Sequence, residues 1–143
     1  MVVKPHVKAL FLGAISLFVF NKFLVRPWVL GAGLPAFFDV LVNSLPNLSE
    51  AIVGTLLLTG IGLRLRARSS GRLGDLPDSV VYRLAILVSG VYVLSQELKL
   101  HNLGGNNIYD PWDLLFSVIG LAAMGLVLGR YGFADLRRSS IRR

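Results

Sequence analysis

Residues 110–130 read DPWDLLFSVIGLAAMGLVLGR, and the sixteen residues from Leu114 to Gly129 carry no charge. An uncharged run of this length reads as a membrane span, since a helix needs about 20 mostly apolar residues to cross a bilayer. Proline at the first helical position has no amide to lose, so Asp110 is expected to cap this helix. Its carboxylate would accept from the amide of Asp113. Both carboxylates then lie at the positive end of the helix dipole, with Tyr109 and Trp112 at headgroup level. The expected span is 111–129.

The rest of the chain repeats this pattern. Of 143 residues, 54% are hydrophobic and only 16% charged. A soluble chain this short leaves much of its surface wet, and these residues could not cover it with polar groups. The fold class expected is therefore an all-α integral membrane protein. A net charge of +7 would suit nucleic acid, but the basic residues sit at the ends of apolar segments, not on one stripe interleaved with aromatics. Membrane lipids are the expected partners and nucleic acid is not. The absence of cysteine excludes disulfides, thiol nucleophiles and thiolate metal sites.

Three further spans precede the last one. The first covers 7–25, bounded by Lys4 and Lys8 on one side and Lys22 and Arg26 on the other. It lacks a small-x-small cleavage site and reads as a retained span. The second covers 46–64 in LPNLSEAIVGTLLLTGIGLRLRAR, where Asn47 and Glu50 have the spacing of a capping box and Pro46 keeps the incoming chain extended. The third covers 79–97, after the turn-rich loop ARSSGRLGDLPD. Residues 27–45, PWVLGAGLPAFFDVLVNSL, are apolar but interrupted by Gly31, Gly33 and Pro35. Asp39 and Asn43 share one helix face opposite Phe37, Val40 and Leu41. An interfacial helix lying at the membrane surface is expected there, with a re-entrant segment as the other reading. The result is a four-transmembrane-helix bundle with an additional interfacial helix between spans one and two.

Lysine and arginine favour the cytoplasmic side. With both termini inside, that face collects twelve basic residues, and only Lys22, Arg26 and Lys99 remain outside. The tail 130–143, with Arg130, Arg137, Arg138, Arg142 and Arg143, would hold to the anionic inner leaflet. Small residues recur at i, i+4 in Ala9 and Gly13, Thr55 and Thr59, Ala85 and Ser89, and Gly125 and Gly129. Such pairs let helices approach closely, either within the bundle or against another subunit or a second copy.

In this topology five of the eight acids, Asp39, Glu50, Glu97, Asp110 and Asp113, fall at the outer ends of the helices. Capping explains Asp110 and Glu50. Glu97 ends a span, where the dipole disfavours negative charge. Glu97, Asp110, Asp113 and Glu50 are thus the candidate ligand-binding residues, on the polar outer face. Carboxylates brought together would repel or draw in a hard cation such as Ca²⁺ or Mg²⁺, but no metal site or cofactor is assigned. His6 and His101 fall on opposite faces, and no serine has a triad or elbow around it. No catalytic residue is assigned, and the chain is not expected to be an enzyme.

The stretch LSQELKLHNLGGNNIYDPWDLLFSVIGLAAMGLVLG, residues 94–129, resembles the C-terminal half of VanZ-like membrane proteins, a family of small bacterial membrane proteins. Those carry a glutamate near a helix end, a polar loop with an aspartate, a second aspartate opening the next helix, and glycines along it. Glu97, Asp110, Asp113 and Gly120 match these positions, and Gly125 more loosely. Ser117 stands where the family more often has asparagine, and the usual arginine before the first aspartate is missing. NSLPNLSEAIVGTLLLTGIG is similar to the second span of short members. The resemblance covers about a third of the chain. It implies a protein of the bacterial cytoplasmic membrane, in which the distribution of basic residues puts both termini on the cytoplasmic side. No agreed reaction is attached to the family, whose namesake is associated with glycopeptide resistance. Three functions compete: an envelope protein whose acidic outer cluster binds a cell-envelope precursor, lipid headgroup or glycopeptide without catalysis; a small accessory or scaffold subunit of a larger membrane complex; and, disfavoured by the lack of charge at mid-depth and of any nucleophile, an enzyme or transporter using Glu97 and Asp113 as a proton or ion site.

Overall fold

The computed structural model describes residues 1–97 and 110–135, and Glu97 by its backbone alone. The expected loop 98–109 and the tail from 136 onward lie outside the described residues. Four helical segments are long and apolar enough to cross a membrane: Pro5–Gly31, Ala36–Arg68, Asp78–Gln96 and Pro111–Tyr131. The first comprises α1 (Pro5–Phe20), a π-helical turn (Asn21–Val25) and α2 (Arg26–Gly31). Then come α3 (Ala36–Arg68), a short 3-10 turn (Gly71–Leu73), α4 (Asp78–Glu97) and α5 (Pro111–Tyr131). α3 is the axis of the bundle, touching α1, α4 and α5, and its longest seam is with α5.

No separate helix occupies residues 27–45. Their first part continues the first helix to Gly31, and Ala36 onward belongs to α3. The break falls at residues 32–35, where Gly33 adopts φ +63° and Pro35 takes the N-cap position of α3. Two other prolines, Pro27 and Pro46, are accommodated within helical segments. Pro27 follows the π turn, whose wider bond from the Arg26 amide to the Asn21 carbonyl relieves the clash a proline ring makes with the carbonyl four residues earlier.

Pro46 lies inside α3. It cannot donate to the Val42 carbonyl, and in lipid an orphaned carbonyl costs several kcal/mol. The side chain of Asn21 makes up for this: its Nδ2 donates to the Val42 carbonyl oxygen at 2.7 Å, from a residue only 1% exposed. The expected capping box therefore does not exist. Asn47 and Glu50 are interior residues of α3, because the helix starts eleven residues before Asn47, at Ala36.

The two ends of the bundle differ in kind. At the terminal end, β1 (Val2–Val3) pairs antiparallel with β2 (Ala134–Asp135), so both ends of the described chain meet. Lys4 Nζ donates to the Tyr131 carbonyl at 2.6 Å, and the Phe133 amide donates to the Tyr82 hydroxyl at 3.0 Å. Arg66 ion-pairs with Asp78 and donates to the Leu76 carbonyl at 2.7 Å, tying α3 to the start of α4. The apolar core (Val7, Leu56, Leu63, Val81, Met124, Leu128 and Phe133 among them) packs in this half. The far half buries Asn21, Ser44, Ser49 and Ser117 instead. Around the outside, Leu12, Leu57, Leu87, Val91 and Leu126 are all at least half exposed, an apolar girdle of the kind lipid solvates.

Close approach between helices occurs at glycines other than the expected pairs. A Cβ at Gly120 would stand 2.9 Å from both the Ala51 Cβ and the Leu48 carbonyl oxygen. Gly62 and Gly54 are similarly crowded, by Val81 and Ser89. Gly13 and Gly129 face open space and Gly125 has only ordinary contact, so these glycines do not carry the close crossings within the bundle. The hydroxyl pairs fared differently: Thr55, Thr59 and Ser89 are buried in the bundle, and Ala85 with them.

Candidate functional site

The far end of the bundle is built by three segments. The π turn and α2 bring Asn21, Lys22 and Arg26, the first half of α3 brings Asn43, Ser44, Asn47 and Glu50, and α5 brings Asp110, Asp113 and Ser117. Along α5, Asp113, Ser117 and Gly120 are spaced three or four apart and share one face. Gly120 sits against Leu48 and Ala51 of α3. One or two turns farther out, Ser44 and Asn47 flank the Asp113 carboxyl group, with the charges of Asp110 and Arg26 nearby. The close crossing at Gly120 thus sets the distance at which the polar side chains of α3 and α5 face each other.

Asp110 caps α5 as expected, in extended conformation with φ −121°. Its Oδ1 accepts from the amide of Trp112 at 2.9 Å, and not from that of Asp113. The bond goes to the second helical residue because Pro111 fills the first position and leaves the next free amide closest to the cap. Asp110 is thereby explained by local structure alone.

Asp113 is not. Ser44 and Asn47 lie close enough to hydrogen-bond its carboxyl group, but its Oδ1 is buried with no partner in direct bonding geometry, as are Ser44 Oγ, Ser117 Oγ and Asn43 Oδ1, and Ser44 and Ser117 are both 0% exposed. Buried polar atoms are almost always hydrogen-bonded; Asn21 Oδ1 and the hydroxyls of Thr55, Thr59 and Ser89 are unpartnered elsewhere in the bundle as well, but at this end a carboxylate is among them. The set consists of oxygens that accept, with two hydroxyls able to donate as well, and it suits a ligand presenting N–H or O–H groups. The described residues contain no cluster of three or more His, Asp or Glu able to hold a metal ion.

Of the four candidate ligand-binding residues, Asp110 and Asp113 lie together. Glu50 does not join them. It points to the other side of α3, where it shares a groove with Ile15, Phe18 and Gln96 and feels the charge of Lys22. The side chain of Glu97 lies outside the described residues. Sequence reasoning took Asn47 for a cap and passed over Ser44, although Ser44 and Asn47 at i, i+3 facing Asp113 and Ser117 at i, i+4 is a readable pattern once α3 is known to begin before Pro46.

Compared with family models, curated proteins and solved structures, the chain matches none of them.

Proposed function

We propose that this is a multi-pass protein of the bacterial cytoplasmic membrane, VanZ-like in its second half. Its outward-facing polar end binds an envelope molecule (a cell-wall precursor, a lipid headgroup or a glycopeptide) without catalysing a reaction. The observation that carries this is the polar seam between α3 and α5, where the Ser44 and Asn47 side chains border the Asp113 carboxyl group and Asp113 Oδ1 and Ser117 Oγ are buried without a direct hydrogen-bond partner. Among the described residues the seam holds no histidine or cysteine and no nucleophile–base pair, which favours binding over chemistry. Its depth, at the ends of helices, is where headgroups and extracellular ligands reach. The orientation rests on the basic residues gathered at the terminal end, Lys4, Lys8, Arg64, Arg66, Arg68, Arg72, Arg83 and Arg130, which belong on the cytoplasmic side.

The test separates Asp113 from its neighbour. Asp110→Asn keeps an oxygen for the cap and should lose at most about 1 kcal/mol of stability, with unchanged glycopeptide sensitivity and unchanged envelope ligands in the protein purified in mild detergent. Asp113→Asn and Glu97→Gln should also stay folded, but reduce ligand retention or alter that sensitivity by about tenfold, the effect of losing a charge-assisted hydrogen bond. If all three variants retain both stability and phenotype, the carboxylates serve only the helix ends.

One observation favours the accessory-subunit alternative. An apolar groove of about 710 Å³ runs between α1 and α5 with Ile52 at its floor and Ala9, Gly13 and Ala14 on its wall, a shape that a helix of another subunit fits. Stoichiometric co-purification of a second membrane protein would give this reading precedence.

A further inference from the structure

On the side of α3 away from α5, a second groove of about 400 Å³ opens between α1 and α4. Its body is apolar, formed by Ile15 and Phe18 of α1 and Val53 and Leu57 of α3. Its floor includes Gly54, whose lack of a side chain lets α4 come close, since a Cβ there would stand 3.0 Å from the Ser89 hydroxyl. Its far end is polar, with Glu50 and Gln96 in the lining. Lys22 reaches over the Phe18 ring at 5.5 Å from its centroid, which carries its ammonium to the same end. Glu50 and Lys22 feel each other's charge, yet they form no direct ion pair, the described pairs being Lys4–Asp135 and Arg66–Asp78.

We propose that this groove is a lipid site, separate from the Asp113 seam and independent of the reading given for it, and that its occupant is a phospholipid with an ammonium in its headgroup, of the phosphatidylethanolamine class. An apolar channel with a polar mouth matches the shape of an amphiphile, an acyl chain lying along Phe18, Val53 and Leu57. A carboxylate and an ammonium of the protein, held near each other but unpaired, match a zwitterion: Glu50 takes the lipid ammonium and Lys22 the phosphate. An anionic headgroup such as phosphatidylglycerol would satisfy Lys22 and leave Glu50 facing like charge.

The full chain, incubated with mixed vesicles of phosphatidylethanolamine and phosphatidylglycerol and then extracted into mild detergent, is examined by native mass spectrometry. Wild type should retain phosphatidylethanolamine in preference to phosphatidylglycerol. Glu50→Gln, at an exposed position and checked for unchanged melting temperature, should lose at least about fivefold of that retention. Asp113→Asn should keep it, which separates this site from the α3–α5 seam. Equal retention of the two lipids by wild type, or undiminished retention by Glu50→Gln, would overturn the proposal. So would a disulfide-linked dimer formed at high yield in the membrane by Tyr92→Cys, at the α4 side of the same groove, because a second copy would then cover it.

Discussion

Gly120→Leu is expected to destabilise the bundle by about 3 kcal/mol, a large part of the total stability of a domain this size. Even the first carbon of the new side chain would meet the Ala51 Cβ and the Leu48 carbonyl oxygen at 2.9 Å, and one of those atoms is backbone. Backbone does not rotate away, so α3 and α5 must separate, and dispersion contacts along that seam are lost where lipid offers no hydrophobic drive to compensate. Gly120→Ala should cost a smaller amount of the same sign. Gly129→Ala is the control: nothing lies within 4 Å of its added carbon, and the gain in helix propensity makes it neutral or stabilising by up to about 1 kcal/mol. Thermal unfolding in detergent measures all three, and equal melting temperatures for the Gly120 and Gly129 variants would refute the close crossing. Separation at Gly120 should also disturb the Asp113 seam, so the Leu variant is expected to lose ligand binding as well as stability.

The second large effect lies at Asn21. Its Nδ2 is the donor to the Val42 carbonyl, the acceptor that Pro46 leaves without an amide. Asn21→Ala removes that donor and opens a small cavity at a site 1% exposed, at an expected cost of about 2–3 kcal/mol. The dependence on Pro46 is the sharper expectation. In a Pro46→Ala background the new backbone amide at that position can bond to the Val42 carbonyl in the ordinary helical way, and Asn21→Ala should then cost about 1 kcal/mol less. Removal of two interacting partners is measured by such a double-mutant cycle. Identical costs of Asn21→Ala in both backgrounds would mean that Asn21 acts only through packing.

These two contacts also mark how far the sequence could be read. Four spans were legible because an uncharged run such as Leu114 to Gly129 has few structural alternatives, and the cap at Asp110 was legible because Asp-Pro at a helix start is local chemistry. The course of residues 27–45 was not. Proline and glycine normally end helices: the first span was expected to stop before Pro27; Gly31, Gly33 and Pro35 read as interruptions; and Pro46 read as the extended lead-in to the next helix. Only the break at residues 32–35 was used, because a π turn accommodates Pro27 and a side chain 21 residues away, Asn21, supplies Val42 with its donor. That compensation is tertiary and leaves no trace in the local pattern. The error then spread to the site. With the second span taken to start at Pro46, Asn47 and Glu50 looked like a cap, and Ser44 fell in the separate interfacial helix expected over 27–45. In the continuous helix, Ser44 and Asn47 face Asp113 while Glu50 turns to the opposite groove. Glycine spacing alone did not show which glycines pack inside the bundle: which one meets a neighbour depends on the rotation of each helix, and Gly120 faces α3 whereas Gly129 faces open space.

Binding of an envelope molecule at the Asp113 seam requires the polar end to face away from the cytoplasm, and the cysteine-free chain allows a direct measurement. Single cysteines are placed at Ala32, in the exposed turn between α2 and α3, and at Ser70, in the exposed loop between α3 and α4. The two positions belong to opposite ends of the bundle. A membrane-impermeant thiol reagent applied to intact cells should label Ala32→Cys and leave Ser70→Cys unlabelled until the membrane is permeabilised. Labelling of Ser70→Cys with protection of Ala32→Cys in intact cells would contradict the orientation and place the Asp113 seam on the cytoplasmic side.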